Sequence, residues 1–315
     1  MTQGLVAGED YPDSYRGFVE MFPDDEACLR YIERLRWPDG FFCPACGSLG
    51  EPWRTTRGRL VCSSCRHQSS VTAGTIFDKT RTPQTTWFET AWHLTTAKNG
   101  MSAQTLSRTM GTSYQVAWAM LHRYRVAMVR AERDLLHGDV EVDEIFVGGI
   151  DRGGKPGRGT RKCIVVIAVE IKQPKGFGRV RMRHVPDASS TSLVPFVRDV
   201  VAPDSVVLTD GWQGYGALPR HGYTRRVTVL SDSRQPADVA MPGVHRIASL
   251  LKRWILGTHH GSIDPAHLQS YLEEFTFRFN RRNSGNRGLV FHRLLEQAVV
   301  TLPITEADVT HGYDW

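Results

Sequence analysis

The chain has 315 residues, of which 41% are hydrophobic and 23% charged, so it can bury a sizeable core, and its length suggests about two domains. A formal net charge of +6 and a pI near 9.1 suit a polyanionic partner without proving one. No apolar run approaches the ~20 residues of a membrane span. Met1 to Arg16 is polar and acidic, without the apolar centre of a signal peptide. These features predict a cytosolic protein with no membrane partner.

In chain order, Asp24 is placed to cap a helix carrying Ala27, Leu29, Tyr31, Ile32 and Leu35, which Pro38-Asp39-Gly40 ends. Four of the six cysteines follow in two pairs, Cys43/Cys46 and Cys62/Cys65, with 15 residues between the pairs. That spacing predicts a four-thiolate zinc site, because each CxxC knuckle turns two sulfurs toward one tetrahedral ion. Disulfides are the alternative, and a cytosolic setting argues against them. Glu51–Arg54 and Arg59–Val61 read as hairpin strands of a zinc ribbon. His67 is adjacent but surplus once four thiolates fill the tetrahedron. Cys28 and Cys163 sit in apolar settings and read as inert core residues. Structural Zn²⁺ with four thiolates contributes about −2, which lowers the working charge to about +4.

Between Gln84 and Arg133 the apolar period turns helical. Thr86 is a possible cap for a first helix bearing Trp87, Phe88, Ala91, Trp92 and Leu94. Ser102 can cap a second, Gly111 makes the turn, and Thr112 or Ser113 can cap a third with Val116, Ala117, Met120 and Leu121 inward. Short helix, glycine turn, longer helix is the outline of a helix-turn-helix, and an ordinary three-helix bundle is the alternative. As a helix-turn-helix it would aim Ser113, Tyr114, Gln115 and Trp118 at a major groove, with Arg123, Arg125 and Arg130 as a basic flank for phosphates.

Residues 138 to 149 alternate charged and branched apolar residues, which predicts a strand with Asp139, Glu141 and Asp143 on one polar face. The basic stretch from Asp151 to Lys162 reads as a loop leaning on nucleic acid. Cys163–Val169 reads as a buried central strand, Arg179–His184 as a third strand, and Ser190 as the cap of a helix through Val200. A fourth strand, Ser205–Thr209, ends at Asp210-Gly211. This succession predicts a ribonuclease-H-like sheet, with the first and fourth strands adjacent and Asp143 facing Asp210. Two carboxylates held that close repel unless divalent cations lie between them. Mg²⁺ or Mn²⁺ there would activate a nucleophile for phosphoryl transfer. A third ligand is expected from the helix beginning near Gly243. His245 and Lys252 are seven residues apart on it and so share a face, and His245 lies 35 positions after Asp210. Glu144 points the other way and is expected to pack or cap. Asp264-Pro265 starts a further helix with an apolar stripe of Leu268, Tyr271, Leu272, Phe275 and Phe279. Its basic end, with Arg278, Arg281 and Arg282, reads either as a DNA-phosphate track or as a solvated helix end, as do Arg287 and Arg293 beyond it.

Val140-Glu141-Val142-Asp143-Glu144, Leu208-Thr209-Asp210-Gly211 and His245 through Lys252-Arg253 together resemble bacterial insertion-sequence transposases of the DDE superfamily. Gly257-Thr258-His259-His260, and Tyr271 to Phe275 through Phe279-Asn280-Arg281-Arg282, extend the likeness. With the ribbon it covers roughly residues 20 to 300, and the subgroup is the zinc-ribbon one whose third catalytic position is Glu, Asn or His, followed by Lys. The resemblance implies a multidomain α/β protein. A helix and zinc ribbon would occupy 20–70, a helix-turn-helix-like segment 84–135, a ribonuclease-H-like catalytic domain 138–300, and a tail 303–315. It implies metal-dependent cleavage at element ends and strand transfer into target DNA. Asp143, Asp210 and His245 would be metal ligands, and Lys252 would meet phosphate near the scissile bond. Tyr114, Gln115, Arg123, Arg253, Arg278, Arg281 and Arg282 are the expected DNA contacts. Double-stranded DNA is the implied partner, with homo-oligomers at least on DNA and a place on the bacterial nucleoid. The imidazole at the third position departs from the commoner Glu and motivates an alternative, a DNA-binding derivative without catalysis; a nuclease of this fold that cuts without joining is a second, and a stand-alone zinc-ribbon transcription factor a third.

Overall fold

The computed structural model describes residues 4–130, 132–148, 162–228, 240–261 and 263–312. The chain forms two compact units, one of Met1–Arg130 with Ser284–Asp314, the other of Ala131–Asn283. The expected 138–300 segment is therefore divided, and its last helix belongs with the N-terminal unit. The proposed loop over 151–162 lies outside the described residues except for Lys162.

In the first unit, α1 (Tyr15–Met21), which the sequence did not announce, is capped by Ser14. Asp24 caps α2 (Asp25–Arg36) as expected, accepting the Ala27 N–H at 2.8 Å. The core is aromatic. Phe18 lies 5.0 Å from Trp92 and 5.7 Å from Phe291, Phe22 lies 4.8 Å from Phe88, and the Tyr31 hydroxyl meets His292 Nδ1 at 2.6 Å. Phe291, Leu294 and Leu295 of α9 (Arg287–Ala298) are fully buried. Each such apolar side chain contributes about 1.5–3 kcal/mol, which is why the C-terminal segment completes this core. A short α10 (Glu306–His311) follows with a Thr305/Asp308 capping box.

The ribbon is a three-stranded antiparallel sheet in the order β1 (Trp53–Arg54), β2 (Leu60–Val61), β3 (Gln68–Ser69). Helices α3 (Gln84–Thr96), α4 (Ala103–Met110) and α5 (Tyr114–Ala127) then follow. Thr86 does not cap α3. The helix starts two residues earlier, where the Asp25 carboxylate accepts from both the N–H and the hydroxyl of Thr85 at 2.9 Å, so a neighbouring helix satisfies the terminus. Ser102 and Ser113 cap α4 and α5, with Gly111 between them at φ +64°, a conformation that favours glycine. Ala117, Met120 and Leu121 are buried, whereas Val116 is 36% exposed and lies outside the core stripe.

The second unit holds a five-stranded sheet in the order β6-β5-β4-β7-β8. The strands are β4 (Asp139–Val147), β5 (Cys163–Ile171), β6 (Phe177–Val185), β7 (Val206–Thr209) and β8 (Thr224–Val227). β4–β5 and β5–β6 are antiparallel, while β4–β7 and β7–β8 are parallel. This mixed α/β order is consistent with a ribonuclease-H-like fold. Val140, Val142, Val166 and Ala168 face α6 (Ser190–Val200) on one side. Ile145, Val165, Ile167 and Val169 face α7 (Pro242–His259) and α8 (Leu268–Asn280) on the other. Buried on both faces, β5 reads as an unbroken apolar run for that reason.

The outer edge of β6 would expose unpaired backbone. Helix α8 closes it with side chains. Gln269 accepts the His184 N–H at 2.9 Å, and Asn280 both accepts from Val180 N–H at 2.8 Å and donates to Val180 O at 3.1 Å. Arg282 donates to the carbonyls of Phe177 and Gly178.

Candidate active site

Strand β4 carries the first acid. Its partner β7 runs parallel in the register Asp139↔Val206, Val140↔Val207, Glu141↔Leu208. Carrying that register two residues further brings Asp143 level with Asp210, and the alternation places both on the α7 side of the sheet. The expected polar face is only partly solvated, with Asp139 and Asp143 part-exposed and Glu141 buried. Glu141, two residues before Asp143, is 4% exposed, and its Oε2 accepts the Val244 N–H at 2.9 Å. Burial pushes its carboxyl above the ordinary range, and the amides of Val244 and Gly243 pull part of the way back. Gly243 allows this close approach: a Cβ would meet Ile171 Cδ1 at 2.8 Å and Glu141 Oε2 at 2.9 Å, and those side-chain ends would have to shift. The first turn of α7 thus rests directly on the sheet, and His245 is the next residue but one. Nothing in the local sequence announced this role for Glu141, since a carboxylate on an alternating strand reads as solvated.

His245 Nε2 is buried with no hydrogen-bond partner among the described residues. Asp143 Oδ1 accepts from Glu144 N–H at 2.8 Å and Asp210 Oδ1 from Trp212 N–H at 2.9 Å. Arg225 of β8 fixes the turn after β7, donating to Thr209 Oγ1 and to the carbonyls of Asp210 and Trp212 at 2.9–3.0 Å. Glu144 faces away, as expected, and accepts from the buried Tyr215 hydroxyl at 3.0 Å. Lys252 and Arg253 are exposed on α7. The ligand atoms of Asp143, Asp210 and His245 do not close to within 4.8 Å of one another; among the described residues the four cysteines are the set of three or more that does. By chemistry alone, two carboxylates and an imidazole nitrogen are donor types that divalent cations accept.

Removing the Glu141 carboxylate strands the first amides of α7. Glu141→Ala is expected to cost about 1–3 kcal/mol in urea unfolding and to speed hydrogen exchange at Gly243 and Val244. Glu141→Gln keeps an acceptor and should lose less. A carboxyl raised in the folded state opposes folding increasingly as pH climbs from its unfolded to its folded value. The Gln variant should therefore gain on wild type across that window, and a pH-independent difference would count against this account.

The cysteine cluster lies in the first unit. Sγ of Cys43 is 3.7 Å from that of Cys65, and Cys46 from Cys62 likewise. A tetrahedron with ~2.3 Å zinc–sulfur bonds has edges of about 3.8 Å, whereas a disulfide would bring the sulfurs to ~2.05 Å. The two knuckles repeat one geometry. Gly47 N–H donates to Cys43 O at 2.9 Å and Arg66 N–H to Cys62 O at 3.0 Å, with both residues at positive φ. The cluster can coordinate a structural zinc ion, and His67 is not part of it.

A family model described as an ISXO2-like transposase domain matches residues 135–280, and one described as a transposase zinc-ribbon domain matches residues 23–68. The chain belongs to the IS1595 family of DDE transposases. An uncharacterized transposase-like protein of Haemophilus influenzae is 25% identical over 116 residues, which is 37% of this chain and 93% of that protein. Membership makes DNA the general partner of this transposase. No helix among the described residues is long and apolar enough to cross a membrane.

Several residues expected on DNA have other occupations in this transposase. Tyr114 and Gln115 are exposed at the start of α5. Arg123, in contrast, is half-buried and donates to Ile304 O at 3.0 Å, and Arg125 is 1% exposed, so these two do not form the expected basic flank. Arg278 approaches Glu274 at 3.4 Å. Arg281 lies 3.8 Å over the Phe277 ring and Arg282 3.9 Å over Phe279, and Arg282 also seals the edge of β6. These contacts orient the arginine cluster, whose members stay part-exposed. Cys28 is fully buried and burial pushes its thiol up to about 12, in keeping with an inert core residue.

Proposed function

We propose that this transposase hydrolyses one strand at each end of its element to free a 3′-hydroxyl, then joins that hydroxyl to target DNA. The reading rests on the β4–β7 register, which continued two residues would bring Asp143 level with Asp210, and on His245 Nε2, buried on α7 with no hydrogen-bond partner among the described residues. Asp143, Asp210 and His245 would hold the catalytic cations, which when bound supply the Lewis acidity for attack on phosphorus. Water forms the new P–O bond in the first step and the 3′-oxygen leaves; in the second, that 3′-oxygen attacks and a target-strand 3′-oxygen leaves. Lys252 would meet the scissile phosphate as a point charge. The ribbon and the α4–Gly111–α5 helix-turn-helix would hold the element end, with Tyr114 and Gln115 toward the major groove. Joining two ends calls for at least two copies on DNA.

The test is cleavage and joining of labelled DNA carrying the element's own ends, with Mg²⁺ and then Mn²⁺. Metal-dependent 3′ nicking followed by joining is expected. Nicking without joining would make the protein a nuclease. Tight end binding with neither would favour a DNA-binding protein without catalysis, the reading that the imidazole at position 245 motivates. Because neutral imidazole brings no charge and prefers later transition metals, half-saturation is expected at a Mg²⁺ concentration at least ~10-fold above that for Mn²⁺. His245→Glu should narrow the gap, and superimposable titrations of the wild type would refute the ligand role.

A further inference from the structure

A cleft of about 880 Å³ lies beside the cysteine cluster and is used by none of the chemistry above. Its walls come from α2, from the β1–β2 turn at Arg57–Arg59, and from the segment running from His67 into the start of α3. Arg57, Arg59, Lys79 and Arg81 on its walls are all exposed. None of the four makes an ion pair among the described residues, whereas Arg16, Arg30 and Arg54 of the same unit each hold a carboxylate. The two acids that line the cleft are otherwise engaged. Asp25 accepts from Thr85, and Asp78 attracts Arg36, whose guanidinium donates to Val71 O at 2.7 Å. Gln68, Ser70, Thr72 and Thr80 also line it, beside the apolar Leu29, Pro44, Val71 and Ala73. Lys79 stands at φ +53°, a backbone conformation that L-residues rarely adopt and that clusters at ligand-binding positions.

A cavity with unneutralised cations and hydroxyl donors suits phosphate and sugar oxygens. We propose that this cleft grips the sugar-phosphate backbone of one strand of duplex DNA, fixing the ribbon on the element end through Arg57, Arg59, Lys79 and Arg81. The inference takes its ligand from the transposase reading. Backbone contacts of this kind carry no sequence information, and they release counterions.

The experiment is fluorescence anisotropy of the zinc-loaded full chain with a labelled element-end duplex, over a range of KCl and without divalent cations. Arg57→Ala/Arg81→Ala is expected to flatten the slope of log K against log salt by about 1.8, at about 0.9 per lost phosphate contact. Arg57→Lys/Arg81→Lys should keep the wild-type slope. Arg16→Ala/Arg30→Ala removes the same charge from arginines already paired with Glu20 and Glu26, and should also keep it. Equal flattening in both alanine pairs would reduce the effect to net charge and overturn the proposal. So would a slope unchanged in the cleft variant, or an effect seen with single strands alone. If that wild type still nicks element ends, the transposase reading survives the loss of the cleft. A wild type that binds no duplex would overturn both.

Discussion

Asp143→Asn is expected to bind element-end DNA at least as tightly as wild type and to nick it at least ~10³-fold more slowly, since a catalytic cation is worth several kcal/mol to the transition state. Asparagine keeps the shape of the side chain and an oxygen to accept the Glu144 N–H. It removes one of two negative charges that the β4–β7 register, continued two residues beyond its last pair, would bring level. Like charges so placed disfavour the folded state when no cation lies between them. In chelator, then, the variant should be as stable as wild type or up to ~1 kcal/mol more so, because Asp143 is part-exposed and solvent screens the repulsion. Opposite signs for activity and stability mark a residue kept for chemistry. A carboxylate kept for packing would lose both. Asp210→Asn should behave alike, and the double variant should lose little more than either single one, as for groups that act as a unit. Single-turnover nicking in Mn²⁺, beside thermal unfolding in chelator, reads both quantities. Full nicking by Asp143→Asn would remove it from the site.

How much of this was legible beforehand depends on how local each feature's cause is. The cysteine knuckles were readable because the chemistry demands two CxxC pairs whatever surrounds them. The adjacency of β4 and β7 followed from the succession of three strands, a helix and a fourth strand, and the unbroken apolar run of β5 fits an inner strand covered on both faces, whereas β8 had no such signal. Glu141 was placed on the correct face but given no role, because its partners, the first amides of α7, lie some 100 residues away in the chain. The arginines at the end of α8 invited a phosphate-binding reading, since an exposed guanidinium and one stacked on phenylalanine share the same sequence. Only the free edge of β6, itself a product of topology, explains why Asn280 and Arg282 stand there. The C-terminal helix was assigned to the catalytic segment by proximity in sequence. Phe291 belongs with Phe18, Phe22, Phe88 and Trp92 instead, a cluster gathered from both ends of the chain. Long-range apolar partnership leaves no local mark.

Stripping the thiolate-bound metal should abolish the ribbon's fold while the Ala131–Asn283 unit persists. The ribbon's strands are two residues each, and Phe41, Leu60 and the buried Cys43 and Cys62 supply nearly all its apolar interior. So small a core does not offset the entropy of ordering some thirty residues, at ~1–2 kcal/mol each. A four-thiolate zinc site provides about 10–16 kcal/mol, enough to decide the matter. The Ser48 hydroxyl and the knuckle amides of Cys65 and Ser64 draw the Cys62 thiol down, whereas the neighbouring sulfurs push the Cys65 thiol up, so without metal the cluster resists holding four thiolates at once. Chelation should release one zinc per chain, expose four reactive thiols, and open the region from Phe41 to Ser69 to protease. Cys28 should stay unreactive because it is buried in the aromatic core. Protons compete for the thiolates, so release should become easier as pH falls. Cys46→Ser should reproduce the loss of fold in zinc-replete protein. End binding should weaken in both cases, because the cleft wall formed by Arg57, Arg59 and Gln68 is part of the ribbon. A ribbon that resists protease equally well with and without metal would mean that the four cysteines do not hold this part of the fold together.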